Sequence, residues 1–494
     1  MAEKRTAIFR TDASVTIGGG HVRRCLVLAE ALADSGWTVS FVCRAVAREI
    51  VPVLARRGFA VIEPAVFEKA PAHCDLLVVD DYRLDAAFER LARAWATRIL
   101  VIDDLANRAH ECDVLLDQSP GRTRDVYAGL VPKDCALLLG PSYALLDPRF
   151  RAARRQRKAI GKVERIFVNF GTTDTANATS LALDAIATAR LGAAIDVVIG
   201  GTAPHLAAVR AKVSELGAKA ALHVDVDDVA ALMRAADLAI GAGGVGALER
   251  CALGLPAAIL TVADNQHTNA QALAASGAAV YWGDVGTCNG PEIATALQHL
   301  AGDEAARAAM SDAAAALVDG LGAARVRMSC EPPLSAKDGR VVSLRQARFA
   351  DSAAMFAWQS APGARRYARN PAAPKQAEHE TWLKAKLADP DCIFNIVLYG
   401  DEPAGILRFD RLAQRDSGRD ASEVSILIAA ERQGLGIAGA ALALGQRLLP
   451  KERIVAAIRA ENRASIRLFE AAGYRAVGPV IGDGDEWIWE PSSA

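Results

Sequence analysis

The sequence carries almost no net charge. Its 57 Lys and Arg face 58 Asp and Glu, for a formal charge of −1. That balance leaves no electrostatic footprint for nucleic acid or for an anionic membrane surface. Paired cysteines are also missing: nine are scattered along 494 residues, an odd count with no C-x-x-C. A disulfide framework is therefore not expected, and a reduced, cytoplasmic setting fits. Long apolar runs are absent as well. The richest stretch, LAIGAGGVGALERCALGLPAAIL (238–260), is broken by Glu249, Arg250 and several glycines. A membrane span needs about 20 apolar residues, so none is expected. The first residues, MAEKRTAIFRTDAS, bring charges without the apolar core of a secretory leader.

What is present is globular material, 52% hydrophobic and 23% charged. The length suggests roughly three domains. From 5 to about 320, short β-branched runs such as TAIFR, TVSFVC, LLVVD, RILVID, RIFVNF, AIDVVIG, LAIGA and AAILTV alternate with segments at helical spacing. This is the βαβ rhythm of parallel, doubly wound sheets. The basic stretch DPRFRAARRQRKAIGKVE (147–164) interrupts the series and predicts two Rossmann-like domains, 1–156 and 157–328, facing a cleft. SCEPPLSAKDGR has linker composition and sets a connection at 329–340. After it the grammar changes to strands, a hairpin and helices, an α+β domain over 341–494.

DASVTIGGGHVRRC (12–25) places three glycines before a histidine at the start of a helix. Backbone N–H groups and the positive end of a helix at such a turn bind anions. The same helix end favours a neutral imidazole at His21, which is then a competent general base. Helix capping or packing is the plainer role for the same residue.

The segment FRTDASVTIGGGHVRRCLVLAEAL resembles the N-terminus of the nucleotide-sugar hydrolases of pseudaminic acid biosynthesis. The resemblance continues through VVDDY, VIDDLANRAHECDVLLDQ, LLGPSYALLDPRFR, VNFGTTD, GAGGVGALERCALGLPAAIL and DNQ, covering 5–320 in order. It implies the two-domain, GT-B-like fold of UDP-GlcNAc glycosyltransferases. It also implies metal-free release of UDP from UDP-2,4-diacetamido-2,4,6-trideoxy-β-L-altropyranose, with His21 activating water. By the same resemblance Arg10, Asp12, Gly20, Tyr82, Gly171, Asp174, Gly243, Gly244, Glu249, Asn265 and Gln266 are expected to bind substrate. Gly243 and Gly244 would hold the diphosphate and Glu249 the ribose hydroxyls. Residues 241–246 also match G-x-G-x-x-G, but late in the second series rather than in a first βα unit, so a nicotinamide enzyme is not expected. Where the family usually has Gly-Gly-Ser-Asp, this chain has Gly171-Thr172-Thr173-Asp174. The acidic pairs Asp80–Asp81 and Asp103–Asp104 end predicted strands. Their expected role is to cap the next helix or hydrogen-bond the sugar, rather than to hold Mg²⁺.

In the last domain, ERQGLGIAGAAL (431–442) and ENRASIRLFEAAGY (461–474) resemble the two signature segments of the GCN5-related N-acetyltransferases (GNAT). Acetyl-CoA is the implied co-substrate, bound by Ile428, Gln433, Gly434, Gly436, Ala438, Asn462 and Phe469. The chain departs from that family at Phe469, where a tyrosine often supplies a proton to the leaving thiolate. Glu423 and Ser425 are candidates for orienting the amine. The two resemblances together imply acetylation of UDP-4-amino-4,6-dideoxy-β-L-AltNAc at its 4-amine, followed by hydrolysis of the product. A glycosyltransferase with an accessory CoA-binding module, or the same steps toward another nonulosonic acid, are the alternatives. Neither signature fixes an oligomeric state.

Overall fold

A computed structural model describes residues 4–412, 421–480 and 483–491. The chain divides into two compact units, residues 1–330 and 331–494. The first unit holds two wholly parallel sheets. One comprises β1 (Thr6–Thr11), β2 (Thr38–Val42), β3 (Ala60–Ile62), β4 (Cys74–Asp80), β5 (Ala96–Ile102), β6 (Val114–Asp117) and β7 (Ala136–Leu139), in the order β3-β2-β1-β4-β5-β6-β7. The other comprises β8 (Arg165–Asn169), β9 (Ala194–Ile199), β10 (Ala220–Val224), β11 (Leu238–Gly241), β12 (Ala257–Thr261) and β13 (Val280–Asp284), in the order β10-β9-β8-β11-β12-β13. This is the pair of doubly wound layers that the alternating pattern predicts, as in the GT-B-like fold that the resemblance implies.

In each sheet the strand order reverses at one place, between β1 and β4 and between β8 and β11. Ligands of open parallel sheets bind outside the carboxyl ends of strands at such switch points. The turns after β1, β4 and β11 are therefore where chemistry belongs.

Burial explains the local structure. Helix Gly20–Ala33 turns Val22, Cys25, Leu28, Ala29 and Leu32 into the first core beside Phe9 and Phe41. The short strands β3, β6 and β7 are absent from the strands read off the sequence, having only three or four residues each. The stretch 147–164, read as a connection, carries helix Pro148–Arg154, and its Phe150 and Ala153 pack with Met233, Leu248 and Leu253 of the second layer. The chain then returns: helix Gly322–Ser329 inserts Ala323 and Val326 into the first core. Arg325 bonds the Ser142 carbonyl at 2.9 Å and Asp319 at 2.8 Å. The nine cysteines are free thiols.

The second unit is one sheet of β14 (Leu334–Ser335), β15 (Val341–Gln346), β16 (Cys392–Tyr399), β17 (Glu402–Leu412), β18 (Ala421–Ile428), β19 (Arg453–Arg459), β20 (Tyr474–Val480) and β21 (Asp483–Pro491). The order is β14-β15-β16-β17-β18-β19-β21-β20. The expected linker 329–340 thus contributes a strand, and the final hairpin extends the predicted elements. Among the described residues of this sheet, only β18 and β19 pair in parallel, and only over Ala421–Glu423 against Arg453–Val455. Beyond that point both strands run on without pairing to each other, which opens a gap in the sheet. Among the described residues, no helix is long and apolar enough to cross a membrane.

Candidate functional site

The first switch point assembles a charged cluster around His21. Asp80 ends β4, beside β1, and accepts a hydrogen bond from His21 Nδ1 at 2.6 Å. Arg24, one turn after His21, donates to both oxygens of Asp80, at 2.6 and 2.7 Å. Its remaining nitrogen donates to Asp104, after β5, at 2.9 Å. Tyr82 donates its hydroxyl to the other oxygen of Asp104 and sets its ring edge-on to His21, centroids 4.7 Å apart. Burial pushes the Asp80 carboxyl up, but Arg24 and His21 outweigh it and hold it well below the usual carboxylate range. Asp104 is lowered in the same way, chiefly by Arg24. Burial, with Asp104, keeps the Tyr82 phenol protonated. The His21 tautomer follows: Nδ1–H points at Asp80, which leaves Nε2 as the acceptor.

These facts correct two expectations. Asp80 and Asp104 are not helix caps; they grip the histidine, Arg24 and Tyr82. Nor is the helix end the nearest charge to His21, because the Asp80 carboxylate lies 2.6 Å from Nδ1.

His21 opens into a cleft between the two layers of this unit. Gly20, Tyr82, Asp104, Gln118 and Ser119 line one side, and Gly243, Gly244, Asn265, Gln266 and Asn269 the other. Helix Val245–Leu253 begins here with Gly244 as its N-cap, so its first N–H groups lack partners within the helix. Gln266 fixes the turn by accepting from the N–H of Gly243 at 3.1 Å and of Val262 at 3.3 Å. Only glycine fits at 241, where a Cβ would meet the Asn169 carbonyl at 2.3 Å. Asn265 donates to the Tyr82 hydroxyl at 3.4 Å, which joins the two sides.

A second cavity adjoins the first, and Arg24 and Val245 line both. It is here that half-buried Glu249 lies, with Arg23, Asp227 and Val229. Burial raises the Glu249 carboxyl, and Arg23 and Arg250 partly offset this.

Other expected residues lie away from the cavities. Arg10 is buried against Asp81 at 3.5 Å. Asp12 is taken by Arg44 at 2.6 Å and Arg83 at 3.0 Å. The Asp174 carboxylate accepts the N–H groups of Ala178 and Thr179 and so holds the start of helix Ala178–Ala189. Gly171, in the left-handed region at φ 95°, lines neither cavity. The glycines before His21 serve neighbours as well as ligand. A Cβ on Gly19 would meet Val51 at 2.8 Å and Thr172 at 3.2 Å, whereas one on Gly20 would meet open space. The threonines that replace the family's smaller residues thus pack against this loop. Arg24, Gln118 and Ser119 were missed as site residues. The H-x-x-R spacing, which puts Arg24 on the His21 face, is the signal that could have found the first.

In the second unit the loop after β18 brings Gln433–Gly436 to the start of helix Ile437–Leu448. Gly434 and Gly436 are left-handed, at φ 80° and 84°. Gln433 bonds the Ile428 carbonyl at 3.2 Å, and Ala438 lies in the first turn. Asn462 caps helix Arg463–Ala471 by accepting from the Ser465 N–H. Phe469 is buried edge-on against Tyr474, whose hydroxyl bonds Gln446. Glu423 stands at the last position of β18 paired with β19, where the gap begins, but it is ion-paired to Arg369 at 3.0 Å. Ser425 lies 3.4 Å from Arg408. Among the described residues, no three His, Cys, Asp or Glu side chains gather as a metal site would require.

Residues 165–324 match the family model described as Glycosyltransferase family 28 C-terminal domain, and residues 342–475 match Acetyltransferase (GNAT) domain. The chain is 27% identical over 231 residues to the UDP-2,4-diacetamido-2,4,6-trideoxy-beta-L-altropyranose hydrolase of Campylobacter jejuni, covering 46% of this chain and 80% of that protein. It is 32% identical over 146 residues to the spore coat polysaccharide biosynthesis protein SpsG of Bacillus subtilis, covering 28% of this chain and 42% of that one. Among solved structures, MurG of Acinetobacter baumannii is similar over 63% of this chain and 94% of its own, at 16% identity and a TM-score of 0.45.

Proposed function

Because the chain joins a two-lobed unit homologous to a nucleotide-sugar hydrolase to a GNAT domain, we propose that it carries out two steps on one UDP-sugar. The GNAT domain acetylates the 4-amine of UDP-4-amino-4,6-dideoxy-β-L-AltNAc with acetyl-CoA. The first unit then hydrolyses the resulting UDP-2,4-diacetamido-2,4,6-trideoxy-β-L-altropyranose. The observation that carries the hydrolytic step is the cavity with a carboxylate-held histidine on one side and a helix start on the other.

In the hydrolysis, Nε2 of His21 takes a proton from water as its oxygen bonds to the anomeric carbon. The bond from that carbon to the β-phosphate oxygen breaks, and UDP leaves. Direct displacement inverts the centre. The N–H groups at Gly244–Gly246 receive the diphosphate charge that develops, and such preorganised donors are commonly the larger catalytic term. Glu249, in the adjoining cavity, receives the ribose hydroxyls, and Tyr82 and Asn265 hold the sugar.

In the acetyl transfer, the free amine attacks the thioester carbonyl and CoA leaves as the thiolate, which then takes a proton. The N–H groups around Gly434–Ala438 bind the pyrophosphate of CoA, and Asn462 meets the pantetheine arm. Phe469 has no proton to give, so the proton that the amine nitrogen sheds on forming the amide reaches the thiolate through water. Glu423 orients the incoming amine once Arg369 releases it. The linked sites keep the acetylated product at high local concentration.

The test gives the whole protein acetyl-CoA and the UDP-4-amino sugar. One free thiol, one UDP and the free diacetamido sugar per substrate are expected, identified by mass. UDP release that occurs only with an added acceptor alcohol would mean a glycosyltransferase. Absence of thiol release would remove the acetyltransfer step.

A further inference from the structure

Arg24 is one cation shared between two carboxylates. It contacts Asp80 at 2.6 Å and Asp104 at 2.9 Å and is itself only 3% exposed. With both carboxylates ionised, the cluster has one net negative charge before His21 is counted. Among the described residues, no other charge in direct contact cancels it. On the flanking strand ends Arg10 pairs with Asp81, and Arg108 with Asp103. Arg122 pairs with Asp117 and touches only the Asp104 carbonyl. The Cys25 thiol, 3.5 Å from Asp80, is kept neutral by burial and by that carboxylate. Across the cavity, the facing groups Gly243, Gly244, Asn265, Gln266 and Asn269 are all uncharged.

We propose that Asp104 and Arg24 are positioning residues that set the base strength of His21 as well as its orientation. Arg24 fixes Asp80 against Nδ1. Asp104 supplies the excess negative charge that is neutralised when His21 takes the proton from water. Protonation therefore converts a cluster of net charge −1 into a neutral one inside a partly water-excluded cavity, where charge imbalance is costly. Asp104 acts on His21 through Arg24 and Tyr82. The proposal rests on His21 being the base.

The measurement is the pH profile of kcat/KM for UDP release by the full chain. Removing a negative charge near a base weakens it and removing a positive charge strengthens it. Asp104→Asn is expected to move the acid limb to lower pH by about half a unit or more, and Arg24→Gln to higher pH. A purely structural role would not shift the two limbs in opposite directions. Tyr82→Phe breaks the same hydrogen bond to Asp104 without changing charge, so its limb should stay in place even if its rate falls. Limbs that move together, or an Asp104→Asn limb that stays fixed, would overturn the proposal. If Arg24→Gln does not fold, the Asp104 and Tyr82 variants decide alone. His21→Asn separates the two levels: retained turnover there removes the base itself, whereas an inactive His21→Asn with an unmoved Asp104→Asn limb removes only this inference.

Discussion

Replacing Asp80 with asparagine is the sharpest perturbation of the hydrolytic site. Asp80 makes three short bonds, one to His21 and two to Arg24, at 2.6 to 2.7 Å. An asparagine keeps the shape but has one acceptor oxygen, and Arg24 requires it. The amide nitrogen then faces His21 and favours the tautomer with its proton on Nε2, the wrong side for attack on water. General-base assistance is worth roughly 10²- to 10⁴-fold, about 2.7 to 5.5 kcal/mol, and most of it should vanish. The account expects kcat for UDP release to fall at least about 100-fold while KM changes less than about threefold, because Asp80 does not reach the leaving group. Breaking a buried pair also destabilises, by about 3 kcal/mol, so thermal unfolding must show that the variant is folded at the assay temperature. Asp81→Asn is the matched control. It removes a neighbouring carboxylate bonded to Arg83 and Arg10 but not to His21, and should leave kcat within about threefold. A folded Asp80→Asn enzyme with more than about a tenth of normal turnover would refute the orienting role.

Three further outcomes follow from the geometry. Gln266→Leu removes the acceptor for the Gly243 and Val262 N–H groups. It should weaken UDP binding by about tenfold in calorimetry, the equivalent of one lost hydrogen bond at a preorganised turn. Asp319→Asn breaks the pair that holds Arg325, whose guanidinium also bonds the Ser142 carbonyl of the first layer, and should cost about 2–3 kcal/mol at neutral pH. Burial raises the Asp319 carboxyl, but Arg325 outweighs it and the folded value is depressed. Its contribution is thus present above the unfolded value of about 3.9 and lost as pH falls through the lower folded value, so the denaturant-unfolding gap between wild type and variant should narrow only below about pH 4. Gly436→Ala puts a Cβ into a left-handed position, 3.1 Å from Lys337 Cγ. It should lower acetyl-CoA affinity at least about fivefold by equilibrium binding, with strain of about 1 kcal/mol or more, while UDP release is unchanged.

Much of the first unit was legible because parallel strands buried on both faces read as β-branched runs, and a helix between them reads at 3.6 spacing. The strands that escaped, β3, β6 and β7, hold three or four residues each and make no periodicity. Helix Pro148–Arg154 lies in the stretch read as an interruption between domains: its arginines give that stretch a basic composition, while Phe150 and Ala153 carry its burial. At the site, His21, Gly243 and Gln266 stand out by motif and do meet in one cavity. Asp12 and Asp174 share motifs with them yet turn inward, to Arg44 and Arg83 and to a helix start. Direction of a side chain is a tertiary fact that spacing along one strand end does not encode. The pairing of Asp80 with His21 is of the same kind, since 59 residues separate them and only the adjacency of β1 and β4 brings them together.

The central claim is that water, activated at His21, attacks the anomeric carbon and expels UDP. Turnover of the UDP-diacetamido sugar in ¹⁸O-water tests it most directly. The account predicts one solvent oxygen in the free sugar, at the anomeric position, and none in UDP, with the label lost when His21→Asn abolishes turnover. Label in the β-phosphate of UDP would mean attack at phosphorus and would contradict it.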